Sequence, residues 1–218
     1  MVKSGEMAVE IVPAILVDSF REFERRIQLV EPFVKRVQWD VMDGCFVDNA
    51  TYSDVSFLED LKTKLAIEAD LMVCDPRRWL ATFRGTLVDQ LIFHVESTVG
   101  PELLIQDAKA AGFKVGLTLD PDTPLKQVRD CLGKIDLFQA MGVKSGFGGQ
   151  EFIPSVLDRV AEVRRLYPSL PISVDGGVNA ETAPRMVDAG ANILCAGSFI
   201  FNSDNIGEAI HALRRTGN

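Results

Sequence analysis

The sequence has no apolar run approaching the ~18 residues that a bilayer-spanning helix requires, so no transmembrane segment is expected. Lys3, Glu6, Glu10 and Asp18 leave no room for the apolar core of a secretory signal. Cysteine is sparse: Cys45, Cys74, Cys131 and Cys195 lie far apart with no C-x-x-C spacing. Neither a disulfide framework nor a zinc ribbon is expected from that pattern, and buried reduced thiols are the default. A cytoplasmic protein is the resulting expectation. Basic charge is also short, with 23 Lys and Arg against 31 Asp and Glu and a formal net charge of −8. That balance argues against a nucleic-acid or anionic-membrane partner, whose phosphates attract cationic faces. A small anionic ligand remains open, because backbone N–H groups can hold one locally.

The chain also lacks a Ser/Gly linker, a charge block or a low-complexity tract. What it has instead is an alternation of two periods. Short apolar or β-branched runs fall near 10–16, 35–42, 65–72, 88–95, 113–119, 136–141, 171–175 and 192–196. Segments of helical periodicity lie between them. Asp18-Ser19 can cap a helix through Phe20, Phe23, Ile27 and Val30, while Asp75-Pro76 and Thr123-Pro124 put proline at a first helical position. Asn179 precedes a helix beginning near Glu181, and Gly112 and Gly190 stand where helices would end. Eight such units in 218 residues predict a parallel sheet with helical cover, closed as a (β/α)8 barrel in a single domain over 1–218. A doubly wound open sheet is the alternative, but the first βα turn, Pro13–Asp18, has no glycine and so no dinucleotide fingerprint.

In such a barrel, function sits at the carboxyl ends of the strands. The second strand ends in Gln38-Trp39-Asp40-Val41-Met42-Asp43-Gly44, and alternation turns Gln38, Asp40 and Met42 to one face. The third puts Glu68, Asp70 and Met72 on one face, and the seventh ends in Asp175-Gly176-Gly177. One carboxylate inside an apolar strand is most simply a hydrogen-bonded structural group. Three at one end of a barrel favour a site, because buried charge is costly. Glycine forms a second cluster: Gly146-Phe147-Gly148-Gly149 after strand six, Gly176-Gly177 after strand seven, and Gly197-Ser198 after strand eight. A single glycine loop would read as a tight turn, whereas three adjacent loops favour phosphate binding.

These residues bring the sequence to a resemblance. Over roughly positions 10–202 the chain resembles the ribulose-phosphate 3-epimerases and related ketose-phosphate epimerases. The likeness rests on Val12-Pro13-Ala14-Ile15-Leu16, Asp40-Val41-Met42-Asp43-Gly44 with Phe46-Val47 and Asn49, and Leu71-Met72-Val73 with Asp75-Pro76. It continues through His94-Val95-Glu96, Thr123-Pro124-Leu125, Gly146–Gln150, Val174–Gly177 and Ala196-Gly197-Ser198. The resemblance implies a (β/α)8 barrel that inverts C3 of a phosphosugar. Asp40 and Asp175 match the two aspartates that remove a proton from one face and return it on the other. Met42, Met72 and Met141 match methionines around the enediolate. Gly146, Phe147, Gly148, Gly149, Gly176, Gly177, Gly197 and Ser198 match the phosphate loops. A phosphorylated sugar, no organic cofactor and a homo-oligomer are implied as well.

The departures concern metal. Family members hold a divalent ion with the two aspartates and two histidines, and the histidine positions are Gln38 and Asp70 here. Ala14 replaces a usual serine, and Ser145 a usual proline. The only histidines, His94 and His211, fall on neither ligand position; His94 is expected in a structural or substrate-side role and His211 on a surface helix. Gln38, Asp40, Asp70 and Asp175 would make an all-oxygen set suited to Mg²⁺, Mn²⁺ or another hard ion rather than Zn²⁺. Three functions follow in order: a ketose-phosphate 3-epimerase, a non-catalytic phosphosugar-binding homologue, and a barrel with other enediolate chemistry. The last is disfavoured within the hexulose-phosphate synthase group. There an Asp-x-Lys-x-x-Asp motif is needed, and Met72 stands at the lysine position of Asp70–Asp75.

Overall fold

Each of the eight apolar runs becomes a strand in the computed structural model, which describes residues 9–217; Lys3 and Glu6 lie outside that range. The strands are β1 Glu10–Ile15, β2 Arg36–Met42, β3 Ala66–Met72, β4 Val88–His94, β5 Lys114–Leu119, β6 Leu137–Met141, β7 Ile172–Asp175 and β8 Ile193–Ala196. Each pairs in parallel with the next, and β8 pairs with β1, so the sheet closes. The helices are α1 Phe20–Val30, α2 Pro76–Phe83, α3 Pro101–Ala110, α4 Val156–Leu166, α5 Thr182–Asp188, the single turn α6 Ser198–Phe201, and α7 Ile206–Arg214. No helix among the described residues is long and apolar enough to cross a membrane.

Local signals act as their chemistry requires. Pro76 and Pro101 open α2 and α3, where a missing N–H leaves nothing unpaired. The Asn179 side chain accepts from the N–H groups of Glu181 and Thr182 at 2.8 and 3.0 Å, steering the chain into α5. Gly112 and Gly190 end α3 and α5 with φ of 97° and 114°, a backbone region that L side chains avoid. Two connections differ from the expected helix. The helix expected after Thr123-Pro124 is instead two 3₁₀ turns, Leu125–Gln127 and Leu132–Lys134, in a stretch carrying Pro121, Pro124 and Gly133. Between β2 and β3 only Ser56–Glu59 is helical, because residues 43–50 are spent crossing the barrel mouth.

Two cores result from the strand period. Outside the barrel, Trp39 meets the rings of Phe23, Phe57 and Phe83 at centroid distances of 5.3, 5.4 and 5.7 Å, locking α1 and α2 against β2. Inside, the side chains are unusually polar for this architecture, with Gln38, Glu68, Asp70, Gln90, Gln139 and Ser173 all buried. The register pairs Gln38 with Glu68 and Asp40 with Asp70, so two strands deliver matched layers. Glu68 takes a hydrogen bond from Gln90 at 3.1 Å and lies 3.5 Å from Arg36. Burial pushes its carboxyl up to about 8, with Arg36 opposing.

Helix α7 depends on one cap. The side-chain oxygen of Asn205 accepts from the Glu208 N–H at 3.1 Å. Replacing Asn205 with Ala is expected to lower unfolding free energy by about 1 kcal/mol. A urea titration reads this as a lower midpoint with an unchanged slope; an unchanged midpoint would show the cap to be idle.

Candidate active site

The carboxyl ends of the strands surround a cleft of about 200 Å³. Asp40 and Met42 enter it from β2, Met72 from β3, Met141 from β6 and Asp175 from β7. The glycines Gly146, Gly148, Gly149, Gly176, Gly177 and Gly197, with Phe147 and Ser198, line the rest. Every residue expected to touch a sugar phosphate from the sequence therefore faces one cavity. Ala14, Arg26, Lys144 and Cys195 face it as well. Arg26 was not signalled by any motif; it reaches over from α1, stacked 4.7 Å from the Phe201 ring and paired with Glu22 at 2.9 Å.

The glycine walls have steric reasons. Gly177 has φ of 66°, and a Cβ there would sit 2.7 and 2.8 Å from Cβ and Cα of Phe152. The 146–149 loop is closed by Gln150, whose amide donates to the carbonyls of Lys144 and Phe147, both at 2.7 Å. Ser145 hydrogen-bonds Asp120.

The charges lie at the cleft floor and just beneath it. Carboxylate oxygens of Asp40, Asp70 and Asp175 come within 4.8 Å of one another, and all three residues are buried. Gln38 turns its Nε2, not its Oε1, toward them, donating to Asp40 at 2.8 Å and Asp175 at 2.6 Å. Gln139, two residues before Met141 on β6, donates to Asp70 at 3.2 Å and to Asp175 at 3.5 Å. His94 is fully buried with Nε2 at 3.2 Å from Asp70, too poorly aligned for a hydrogen bond, and its ring lies 5.1 Å from Phe46. Burial raises Asp40 well above the usual carboxylate range, and repulsion from Asp175 and Asp70 adds to it. Asp175 is pushed up to about 7, by burial first and then by Asp70, with Gln38 and His94 opposing. Burial lowers His94, but Asp70, Glu96 and Asp120 together outweigh it and hold the imidazole above its usual value. The cluster could bind a metal ion: it offers three converging carboxylates, and Asp70 Oδ1 is buried without a hydrogen-bond partner.

Residues 43–50 span the mouth. The Asp43 carboxylate accepts from the N–H groups of Cys45 and Phe46 on its own loop and from Cys74 on the loop after β3. At the far end, Asn49 donates to the Gly146 carbonyl at 2.7 Å. The expectation of reduced, buried thiols fails for one pair: Cys45 and Cys74 are exposed and joined by a disulfide, with Cα atoms 5.8 Å apart. Pairing of Met42 with Met72 places both loops side by side. Cys131 and Cys195 are free and buried as expected, and His211 is exposed on α7.

Comparison with known proteins adds the lineage. The ribulose-phosphate 3 epimerase family matches residues 10–201. Ribulose-phosphate 3-epimerase of Bacillus subtilis (strain 168) is 36% identical over 214 residues, covering 94% of this chain and 98% of that protein. The cytoplasmic isoform of ribulose-phosphate 3-epimerase from Oryza sativa subsp. japonica is 35% identical, covering 96% and 94%. Among solved structures, a 3-hexulose-6-phosphate synthase superposes with a TM-score of 0.72 at 18% identity, over 95% of this chain and 99% of that one, a likeness of fold alone. With the family matched across nearly the whole barrel and curated relatives above one-third identity, the chain belongs to the ribulose-phosphate 3-epimerase family.

Proposed function

We propose that this chain is a ketose-phosphate 3-epimerase, acting on ribulose 5-phosphate and xylulose 5-phosphate or a related ketose phosphate. The observation that carries the proposal is the entry of two buried carboxylates, Asp40 and Asp175, into one cleft from β2 and β7. A proton α to a carbonyl needs a positioned base, and inversion needs an acid across the plane of the enediolate. One aspartate removes the C3 proton; the other returns a proton to the opposite face, and the roles exchange in the reverse direction. Met42, Met72 and Met141 offer polarizable, non-basic walls to the planar intermediate, excluding a competing proton source. The glycine loops after β6, β7 and β8 would present backbone N–H groups to the phosphate, with Lys144 and Arg26 supplying positive charge nearby.

A divalent cation would be held by Asp40, Asp70 and Asp175, an oxygen set suited to Mg²⁺ or Mn²⁺ rather than Zn²⁺. When bound, it would supply positive charge against the developing enediolate oxygens. A cytoplasmic homo-oligomer completes the proposal.

The test is proton exchange. Purified protein in deuterium oxide is expected to interconvert ribulose 5-phosphate and xylulose 5-phosphate and to place deuterium at C3. The same assay on a ketohexose phosphate sets the chain length. Phosphosugar binding by calorimetry with no exchange from any of these, Mg²⁺ or Mn²⁺ supplied, would overturn the epimerase in favour of a binding homologue.

A further inference from the structure

Three carboxylates this close, all buried, require positive charge or N–H donors beside them. In this barrel amide nitrogen lies against each of them. Gln38 Nε2 bridges Asp40 and Asp175, at 2.8 and 2.6 Å, and Gln139 Nε2 bridges Asp70 and Asp175, at 3.2 and 3.5 Å. The Gln38 orientation follows from this: with Oε1 turned to the carboxylates, three acceptors would oppose one another. The bridge is kept although Gln38 Oε1 is left buried without a partner. Both glutamines reach the cluster through the strand period, Gln38 two residues before Asp40 and Gln139 two before Met141.

We propose that Gln38 and Gln139 are positioning residues, an amide clamp whose N–H groups occupy on the carboxylates the place a divalent cation would take. The clamp holds Asp40 and Asp175 in register with no cation present, and a cation enters only by displacing the Gln38 N–H. The inference deepens the epimerase reading, since Asp40 and Asp175 are the acid and base in it. It differs from an amide-oxygen ligand in sign: removing a competitor tightens cation binding, whereas removing a ligand weakens it.

Mn²⁺ titration calorimetry and thermal melting of chelator-stripped protein near pH 8 separate the two. Stripped wild-type protein is expected to melt cooperatively, and stoichiometric Mn²⁺ to leave the midpoint essentially unmoved. Gln38→Leu is expected to bind Mn²⁺ about tenfold tighter, the size of effect set by a lost hydrogen bond to a charged group. Its turnover falls mainly in kcat, and Mn²⁺ restores part of it. Weaker or unchanged Mn²⁺ binding by Gln38→Leu overturns the clamp, as does a wild-type chain that loses its melting transition on stripping. Should Gln38→Leu not fold, Gln139→Leu and the wild-type melt decide between clamp and ligand in the same way. The metal readings involve no sugar, so absent C3 exchange with these readings as expected would remove the epimerase and leave the clamp.

Discussion

Asp175→Asn is expected to lower epimerase turnover by about 10²- to 10⁴-fold, the range for loss of a positioned acid or base, without lowering the melting temperature. The fold tolerates the change because an asparagine oxygen can still accept from Gln38, which now donates to Asp175 at 2.6 Å. The substitution also removes a buried charge that burial and Asp70 already disfavour. A two-base site predicts an asymmetry that a general loss of structure does not. With Asp175 neutralised, Asp40 can still remove and replace the C3 proton on its own face. One epimer should therefore exchange deuterium without inverting, while the other neither exchanges nor inverts. Asp40→Asn should reverse which epimer exchanges, and the double variant should be about as slow in turnover as either single, since inversion needs both groups and fails when either is lost. Deuterium at C3, followed by NMR for each epimer separately, reads all of this. Turnover within tenfold of wild type for Asp175→Asn would take that carboxylate out of the chemistry.

The barrel was legible because strand period and helix punctuation agree along the chain. Every apolar run became a strand, and Asn179, Gly112 and Gly190 end or begin helices by the backbone chemistry expected of them. The cleft was legible for the same reason: alternation sends Gln38, Asp40 and Met42 inward, while Trp39 goes to the aromatic core outside. Pairwise relations across the barrel were not legible. Gln139 carries no motif and is a lone polar residue in Leu137–Met141; only closure of the sheet brings it to Asp70, 69 residues away. For His94 the sequence suggested a structural or substrate-side role without naming a partner, and the closed barrel puts its Nε2 3.2 Å from Asp70. The missing helix between β2 and β3 was hidden because residues 43–50 are used to cross the mouth. That need belongs to the site, not to local propensity.

Reducing the Cys45–Cys74 disulfide is expected to lower unfolding free energy by roughly 3–4 kcal/mol. The bond closes a segment of 29 residues that contains all of β3, and in the chain-entropy account a loop of that length restricts the unfolded chain by about that amount. For a chain of this size the shift in melting midpoint is on the order of 10 °C. The two cysteines lie three residues beyond Met42 and two beyond Met72, which face each other in the β2–β3 register. Proximity is thus written in the pairing of the strands, not in cysteine spacing. Local order at the mouth should outlast the bond, because Asp43 ties both loops through the N–H groups of Cys45, Phe46 and Cys74, and Asn49 holds the other end to Gly146. Reduction should therefore cost stability and leave the Michaelis constant for a phosphosugar within about twofold, a difference of less than one hydrogen bond. Denaturant unfolding with and without dithiothreitol measures the first, and the Cys45→Ser/Cys74→Ser double variant should match the reduced protein and no longer respond to the reductant. Equal stability in both redox states would show that the bond does not constrain the unfolded chain. Disulfides are rare in a reducing cytoplasm, so the fraction oxidised in protein trapped with a thiol-blocking reagent at lysis bears directly on where this chain works.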